Sequence, residues 1–134
     1  KSIFFSGISK DATQQDEILA YEFLQTAKQL SGTEILILKA NFEIAQGNIS
    51  KAVSKGPLEN GKGRRDSWRI TIAQQMEYGE LDAIVIKYEK NLESLGLISP
   101  RSEDGRFPDE FKPTKKFRLT ELGYKFCEFI TKYE

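Results

Sequence analysis

The side chains that most often perform catalysis are scarce in this chain. Its 134 residues include no histidine and a single cysteine, Cys127. Without histidine the chain lacks the usual general base, the triads built on it and a common zinc ligand. Cys127 lies between Phe126 and Glu128 in an amphipathic stretch, where a lone cysteine is usually a small buried apolar group. We therefore expect no enzyme activity, no catalytic residue, no metal site and no cofactor.

One glycine-rich stretch has a partial match to a phosphate-binding pattern. The sequence GPLENGKG satisfies the first seven positions of the phosphate-loop motif, Gly56 to Lys62. The eighth is Gly63 instead of the serine or threonine whose hydroxyl holds magnesium, and no apolar strand precedes it. We interpret the stretch as a surface loop.

Basic side chains are concentrated locally, although the whole chain is neutral. Twenty basic and twenty acidic residues cancel, so no overall field attracts nucleic acid or a membrane surface. Residues 51–69 hold six basic side chains and two acidic ones, and residues 101–118 hold six and four. Residues 80–95 have the opposite balance, with two lysines and four carboxylates. If DNA is bound, the two basic segments are therefore expected to contribute more than residues 80–95.

The composition is that of an ordinary globular domain. Hydrophobic residues make up 39% of the chain and charged residues 30%, and the length fits one domain. We assign residues 1–10 to an N-terminal extension and 11–134 to a single domain. No apolar run is long enough to span a bilayer, so no membrane contact is expected. A single cysteine cannot form an internal disulfide, which favours a cytoplasmic setting.

Apolar periodicity and capping signals predict five helices. A helix over 11–30 follows the capping pattern DATQ, and a second begins at SGTE, Ser31 to Glu34. The stretch EILILKA within the second could also form a strand, but the cap and the length favour a helix. After a loop at 48–67 come a short helix from Trp68, a longer one ending at Gly96, and a C-terminal helix at 120–134.

Two short apolar stretches, LIS and KKFRL, are predicted to be strands that flank a polar hairpin. The tip of this hairpin holds Phe107 and Phe111. Either these rings fold back and are buried against the base of the hairpin, or they are exposed anchors for a partner. The sequence leaves both alternatives open.

This order of elements resembles a winged helix-turn-helix domain of the MarR and PadR type of bacterial regulator. LESLGLI, residues 92–98, is similar to a third helix turning into the first wing strand, and FRLTELG, residues 117–123, to the second strand entering the C-terminal helix. LSGTEILILKA, residues 30–40, is similar to the first helix of the motif. The resemblance implies a mainly α (α+β) fold. Its parts are an additional N-terminal helix at 11–30, a helix-turn-helix core at 31–98, a two-stranded wing at 97–119 and a C-terminal helix.

The resemblance also implies a function and partners. We expect a transcriptional regulator that contacts the backbone of double-stranded DNA through a basic loop and the wing. The alternative is a winged-helix module that has lost DNA binding and holds a protein partner or a second copy of itself, which the acidic start of the third helix, Glu80 and Asp82, would favour. The candidate DNA-binding residues are Lys62, Arg64, Arg65, Arg69, Lys87, Lys90, Arg106, Lys112, Lys115 and Lys116.

The N-terminal helix is predicted to form a homodimer. Its apolar stripe supplies more surface than one side of a three-helix core usually absorbs, and exposing large apolar side chains costs about 1.5–3 kcal/mol each. The alternative is a monomer that buries this stripe on its own domain. The candidate dimerisation residues are Tyr21, Phe23, Leu24, Ala27 and Leu30.

Overall fold

The computed structural model describes residues 14–54, 68–77, 82–101 and 111–132 of the chain. Within these ranges the chain forms five α-helices, which confirms the helices predicted from periodicity. They are α1 (Gln14–Lys28), α2 (Gly32–Ala45), α3 (Trp68–Gln75), α4 (Asp82–Ser94) and α5 (Glu121–Lys132). Of the predicted loop, residues 48–54 form turns and irregular structure. The phosphate-loop-like stretch and Phe107 lie outside the described residues.

The predicted capping box starts α2 and also ties it to α4. The Ser31 hydroxyl accepts a hydrogen bond from the Glu34 backbone at 3.2 Å, and the Glu34 carboxylate accepts one from the Ser31 backbone at 2.8 Å. The second carboxylate oxygen of Glu34 accepts from the Asn91 amide at 2.7 Å. Burial raises the pKa of Glu34, but the hydrogen bonds from Ser31 and Asn91 outweigh it and hold the pKa below 4.5.

The core is built around α2, which contacts α3, α4 and α5. Ile37 and Leu38 of this helix are fully buried at its centre. α1 packs against α5, where the Phe23 ring lies 5.6 Å from that of Phe126 and 5.5 Å from that of Phe129. The apolar stripe of α1 is thus at least partly covered by the same chain.

Trp68, the first residue of α3, packs residues 111–119 against the helices. Its indole N–H donates to the Asn41 side chain at 3.1 Å, and its ring lies 5.6 Å from Phe111 and 5.5 Å from Phe117. Phe111 is completely buried, which decides between the two alternatives for this ring. It folds back into the core and is no exposed anchor.

The predicted two-stranded wing is wrong, because the described residues contain no β-strand. Residues 97–101 and 111–119 do lie side by side, but their described backbones pair only at isolated antiparallel bridges, Ile98 with Leu119 and Arg101 with Phe111. Over the described ranges the fold is all-helical, not α+β. For the described part of the chain, the winged helix-turn-helix architecture is therefore corrected to five helices with an irregular segment, residues 111–119, ahead of α5.

Local backbone features explain why these two segments form no ladder. Pro100 has no N–H to donate, so it interrupts backbone pairing within residues 97–101. Phe117 has a φ of 65°, a left-handed conformation that turns the chain out of the extended form. Thr114 and Phe117 instead close a tight turn through a backbone hydrogen bond of 2.6 Å. The alternation of polar and apolar residues in KKFRL predicts a strand. No residue of this stretch signals the turn that the chain makes instead.

The entry into α5 is packed closely against the segment that follows α4. A Cβ placed on Gly123 would overlap the carbonyl oxygen of Leu97, so only glycine lets α5 approach this far. Thr120 caps the helix by accepting from the Gly123 backbone at 2.9 Å. Among the described helices, none is both long and apolar enough to cross a membrane.

Candidate nucleic-acid interface

One face of α4 points to solvent along the whole helix. Val85, Glu89 and Leu92 are buried, while the opposite face is exposed. That face repeats at steps of three and four residues, so its side chains are neighbours on the helix surface. We call it the α4 face; it consists of Ala83, Ile86, Lys87, Lys90 and Ser94.

The acidic side chains of α4 lie on the neighbouring side of the helix and are bound by arginines. Glu89 is 3% exposed and Arg118 is equally buried. The Arg118 guanidinium contacts Glu89 at 3.2 Å and Glu93 at 2.7 Å, and its Nε donates to the Ser99 carbonyl oxygen at 3.0 Å. Arg101 forms a second ion pair with Glu89. We call these four charged residues the buried ion cluster; it fixes residues 97–101 and 111–119 on α4.

The remaining described carboxylate of α4 is also paired. Asp82, in the first turn, contacts the Arg69 guanidinium at 3.2 Å. Arg69, a predicted phosphate ligand, is therefore engaged with Asp82 instead of standing free on the surface. The three described carboxylates of this helix are thus each paired with an arginine, and Glu80, which was counted with them, lies outside the described residues. Lys87 and Lys90 are its most exposed charged side chains, while the Asp82 side chain is 33% exposed beside Arg69.

Lys112 extends this basic surface beside α4. Its side chain is exposed, and its backbone N–H donates to the Pro100 carbonyl oxygen at 3.1 Å. The 111–119 segment lies along the edge of α4 that carries Glu89 and Glu93. Helical spacing puts that edge next to Ile86 and Lys90.

The other predicted DNA-binding residues are distributed differently. Lys115 and Lys116 line a groove between the 111–119 segment and α5, and the Lys116 ammonium lies 4.1 Å from the centre of the Tyr124 ring. The structure thus places Lys87 and Lys90 on one face of α4, Lys112 on the segment beside that helix, and Lys115 and Lys116 at the groove against α5. The remaining predicted residues lie outside the described residues and stay predictions; they are Lys62, Arg64, Arg65 and Arg106.

The predicted dimerisation residues do not share one exposed surface. Phe23 is 5% exposed in the core, and Leu24, Ala27 and Leu30 are half-buried. Tyr21 is 54% exposed, and Ile18, three residues earlier on the same side of α1, is 62% exposed. Ile18 was not among the predicted residues, although its spacing from Tyr21 was a usable signal.

The single cysteine lies in the core. Cys127 is completely buried, and burial, with a smaller effect of Glu128, raises its pKa to about 12. Its thiol therefore stays protonated at neutral pH and is a poor nucleophile. No group of three or more carboxylate or cysteine side chains within the described ranges could hold a metal ion.

Comparisons with known proteins give no relative. No family model matches the chain, and searches of curated proteins and of solved structures find no match either. The functional assignment therefore depends on the residues themselves.

Proposed function

We propose that the protein binds double-stranded DNA, with the α4 face in the major groove and Lys112 on the adjacent phosphate backbone. It acts by binding, without catalysis, as a cytoplasmic regulator of transcription. The observation that carries the proposal is the compensation of the α4 carboxylates. Arg118, Arg101 and Arg69 neutralise them, and Lys87 and Lys90 have no acidic partner among the described residues.

The dimensions of α4 suit the proposed site. Its thirteen residues make a rod about 20 Å long, and a major groove about 12 Å wide accepts a helix. Lys87 and Lys90 are one helical turn apart and supply ammonium groups for phosphates or guanine edges. Ala83 and Ile86 offer apolar contacts of the kind that thymine methyl groups accept.

Loss of the two α4 lysines is expected to weaken DNA binding strongly. In Lys87→Gln/Lys90→Gln, two ammonium groups that displace counterions from phosphates are missing, so affinity at 50 mM salt should fall on the order of tenfold for each lysine. Fluorescence anisotropy with a labelled duplex of mixed sequence measures the change. Both side chains are exposed, so the variant should keep the circular dichroism of the unmodified protein.

The matched control is Lys28→Gln/Lys51→Gln. This variant has the same net charge but alters exposed lysines on α1 and in the turn after α2. It should bind duplex DNA nearly as well as the unmodified protein. Equal losses in both double variants would mean that only total charge matters, and the assignment of the α4 face would be abandoned.

A second candidate function, self-association through α1, is favoured by the exposed pair Ile18 and Tyr21. Large apolar side chains on one side of a helix gain about 1.5–3 kcal/mol each when a second chain buries them. A dimer formed by two-fold pairing of α1 would also carry two copies of the DNA-binding surface, as half-site recognition generally requires.

Sedimentation equilibrium at micromolar concentration tests self-association. We expect twice the chain mass of 15.3 kDa for the unmodified protein, and 15.3 kDa for Ile18→Glu/Tyr21→Glu with its helicity retained. Phe23 is unsuitable for this test because its replacement would disrupt the core. A mass of 15.3 kDa for the unmodified protein would exclude the dimer.

A further inference from the structure

A groove between the 111–119 segment and α5 combines cations with an apolar floor. Its volume is about 600 Å³, which falls within the roughly 300–1,000 Å³ of small-molecule sites. Its lining includes the apolar Leu119 and the Tyr124 ring, together with Lys115 and Lys116 of the 111–119 segment. On the α5 side lies Lys125, with Glu121 one helical turn before it and Glu128 one turn after it.

The wall with the two lysines is held in a strained and well-anchored turn. Thr114 Oγ1 accepts from the Lys116 backbone at 3.0 Å and lies 2.7 Å from the Leu119 carbonyl oxygen. Phe117 has a φ of 65°, which a bulky residue keeps only when its surroundings enforce it. Its ring stacks on Trp68 with an angle of 16° between the planes. The backbone that carries Lys115 and Lys116 is thus fixed before any ligand arrives, which lowers the entropic cost of binding.

The charges in the groove favour a ligand with an anionic end and a hydrogen-bond donor. Three lysines line the groove, and ammonium groups are common phosphate ligands. The Lys125 pair with Glu121 spans 3.7 Å between exposed side chains, so it is weak and Lys125 can turn to a stronger anion. Glu128 remains as an acceptor for amino groups. Tyr124 offers a ring for stacking once the Lys116 ammonium moves from that ring to the phosphate.

We propose that this groove binds a nucleotide. Lys115, Lys116 and Lys125 hold the phosphate, Tyr124 stacks on the base, and Glu128 accepts a hydrogen bond from the exocyclic amino group. The same chemistry is available from a free nucleotide and from the 5′-phosphorylated end of a single strand. The site uses none of the lysines assigned to the α4 face, so it does not depend on binding of duplex DNA.

Amide chemical shifts of the isotope-labelled full chain test the proposal directly. Titration with adenosine monophosphate should shift the amides around Lys115, Lys116 and Lys125 and leave those around Lys87 and Lys90 unchanged. In Lys115→Gln/Lys116→Gln, the affinity should fall by at least about tenfold, because two charge-assisted contacts are lost. Lys87→Gln/Lys90→Gln, with the same net charge, should bind adenosine monophosphate as the unmodified protein does. Absence of shifts at millimolar nucleotide, or equal affinity of the two double variants, would overturn the site.

Five further ligands separate the parts of the proposal. Adenosine should bind much more weakly than its monophosphate, and uridine monophosphate, which has no exocyclic amino group, should bind more weakly than cytidine monophosphate. Glu128→Ala should remove the second difference, and a preference that persists in this variant would refute the role of Glu128. Tighter binding of a 5′-phosphorylated oligonucleotide than of the mononucleotide would identify the end of a single strand as the ligand. Equal affinity would identify the free nucleotide as the ligand. An acidic peptide that binds as tightly as the nucleotide would overturn the proposal.

Discussion

Replacement of Arg118 by methionine is expected to lower the free energy of unfolding by about 3–5 kcal/mol. Methionine keeps an apolar chain in the site but removes the guanidinium that contacts Glu89 at 3.2 Å and Glu93 at 2.7 Å. Because Glu89 is only 3% exposed, its carboxylate would be left in the interior with Arg101 as its remaining described ion-pair partner. Urea unfolding followed by circular dichroism measures the loss.

Two companion variants test the reason for this loss. Adding Glu89→Gln to Arg118→Met should recover part of the stability, since the uncompensated charge is then gone. Lys125→Met removes an exposed cation and should change stability by less than about 0.5 kcal/mol. If Arg118→Met cost no more than Lys125→Met, the buried ion cluster would not be what holds residues 97–101 and 111–119 on α4.

Replacement of Trp68 by alanine should have an effect of similar size, about 3–5 kcal/mol. Trp68 is 2% exposed and packs against Phe111 and Phe117, so truncation leaves a cavity beside both rings. It also leaves the side-chain Oδ1 of Asn41 without the indole N–H that donates to it at 3.1 Å. The same urea experiment, followed by circular dichroism because the only tryptophan is removed, gives the value.

A control on the same helix distinguishes core packing from helix propensity. Ile70 lies two residues after Trp68 and is 38% exposed. Ile70→Ala should cost no more than about 1 kcal/mol. Trp68→Phe should show an intermediate loss, because the ring volume is largely kept while the hydrogen bond to Asn41 is not. A Trp68→Ala loss as small as that of Ile70→Ala would contradict the described core.

The helices could be predicted from the sequence because their signals are local. The reciprocal hydrogen bonds of Ser31 and Glu34 start α2 as the capping box indicates, and Gly96, with a φ of 74°, follows the end of α4. The wing could not be judged in the same way. Whether two extended segments form a ladder depends on contacts far apart in sequence, and the left-handed conformation of Phe117 has no marker in the residue type.

Only part of the candidate interface could be predicted from the sequence, because a count of charged residues does not show which way their side chains point. Counting gave α4 an acidic excess, whereas Glu89 and Glu93 face Arg118. A signal was present: Glu89 falls four residues after Val85 and three before Leu92, on the apolar stripe. A carboxylate on such a stripe predicts a buried cationic partner. Which arginine supplies it, here one 29 positions later, depends on tertiary structure alone.

The salt dependence of DNA affinity tests the central claim most directly. Each lysine that neutralises a phosphate contributes about 0.9 to the slope of log affinity against log salt concentration. Between 50 and 200 mM salt, Lys87→Gln/Lys90→Gln should therefore show a slope shallower by about 1.8 than the unmodified protein. Lys28→Gln/Lys51→Gln should keep the full slope. Identical slopes for all three proteins, or no binding of the unmodified protein to duplex DNA at 50 mM salt, would contradict the assignment of the α4 face.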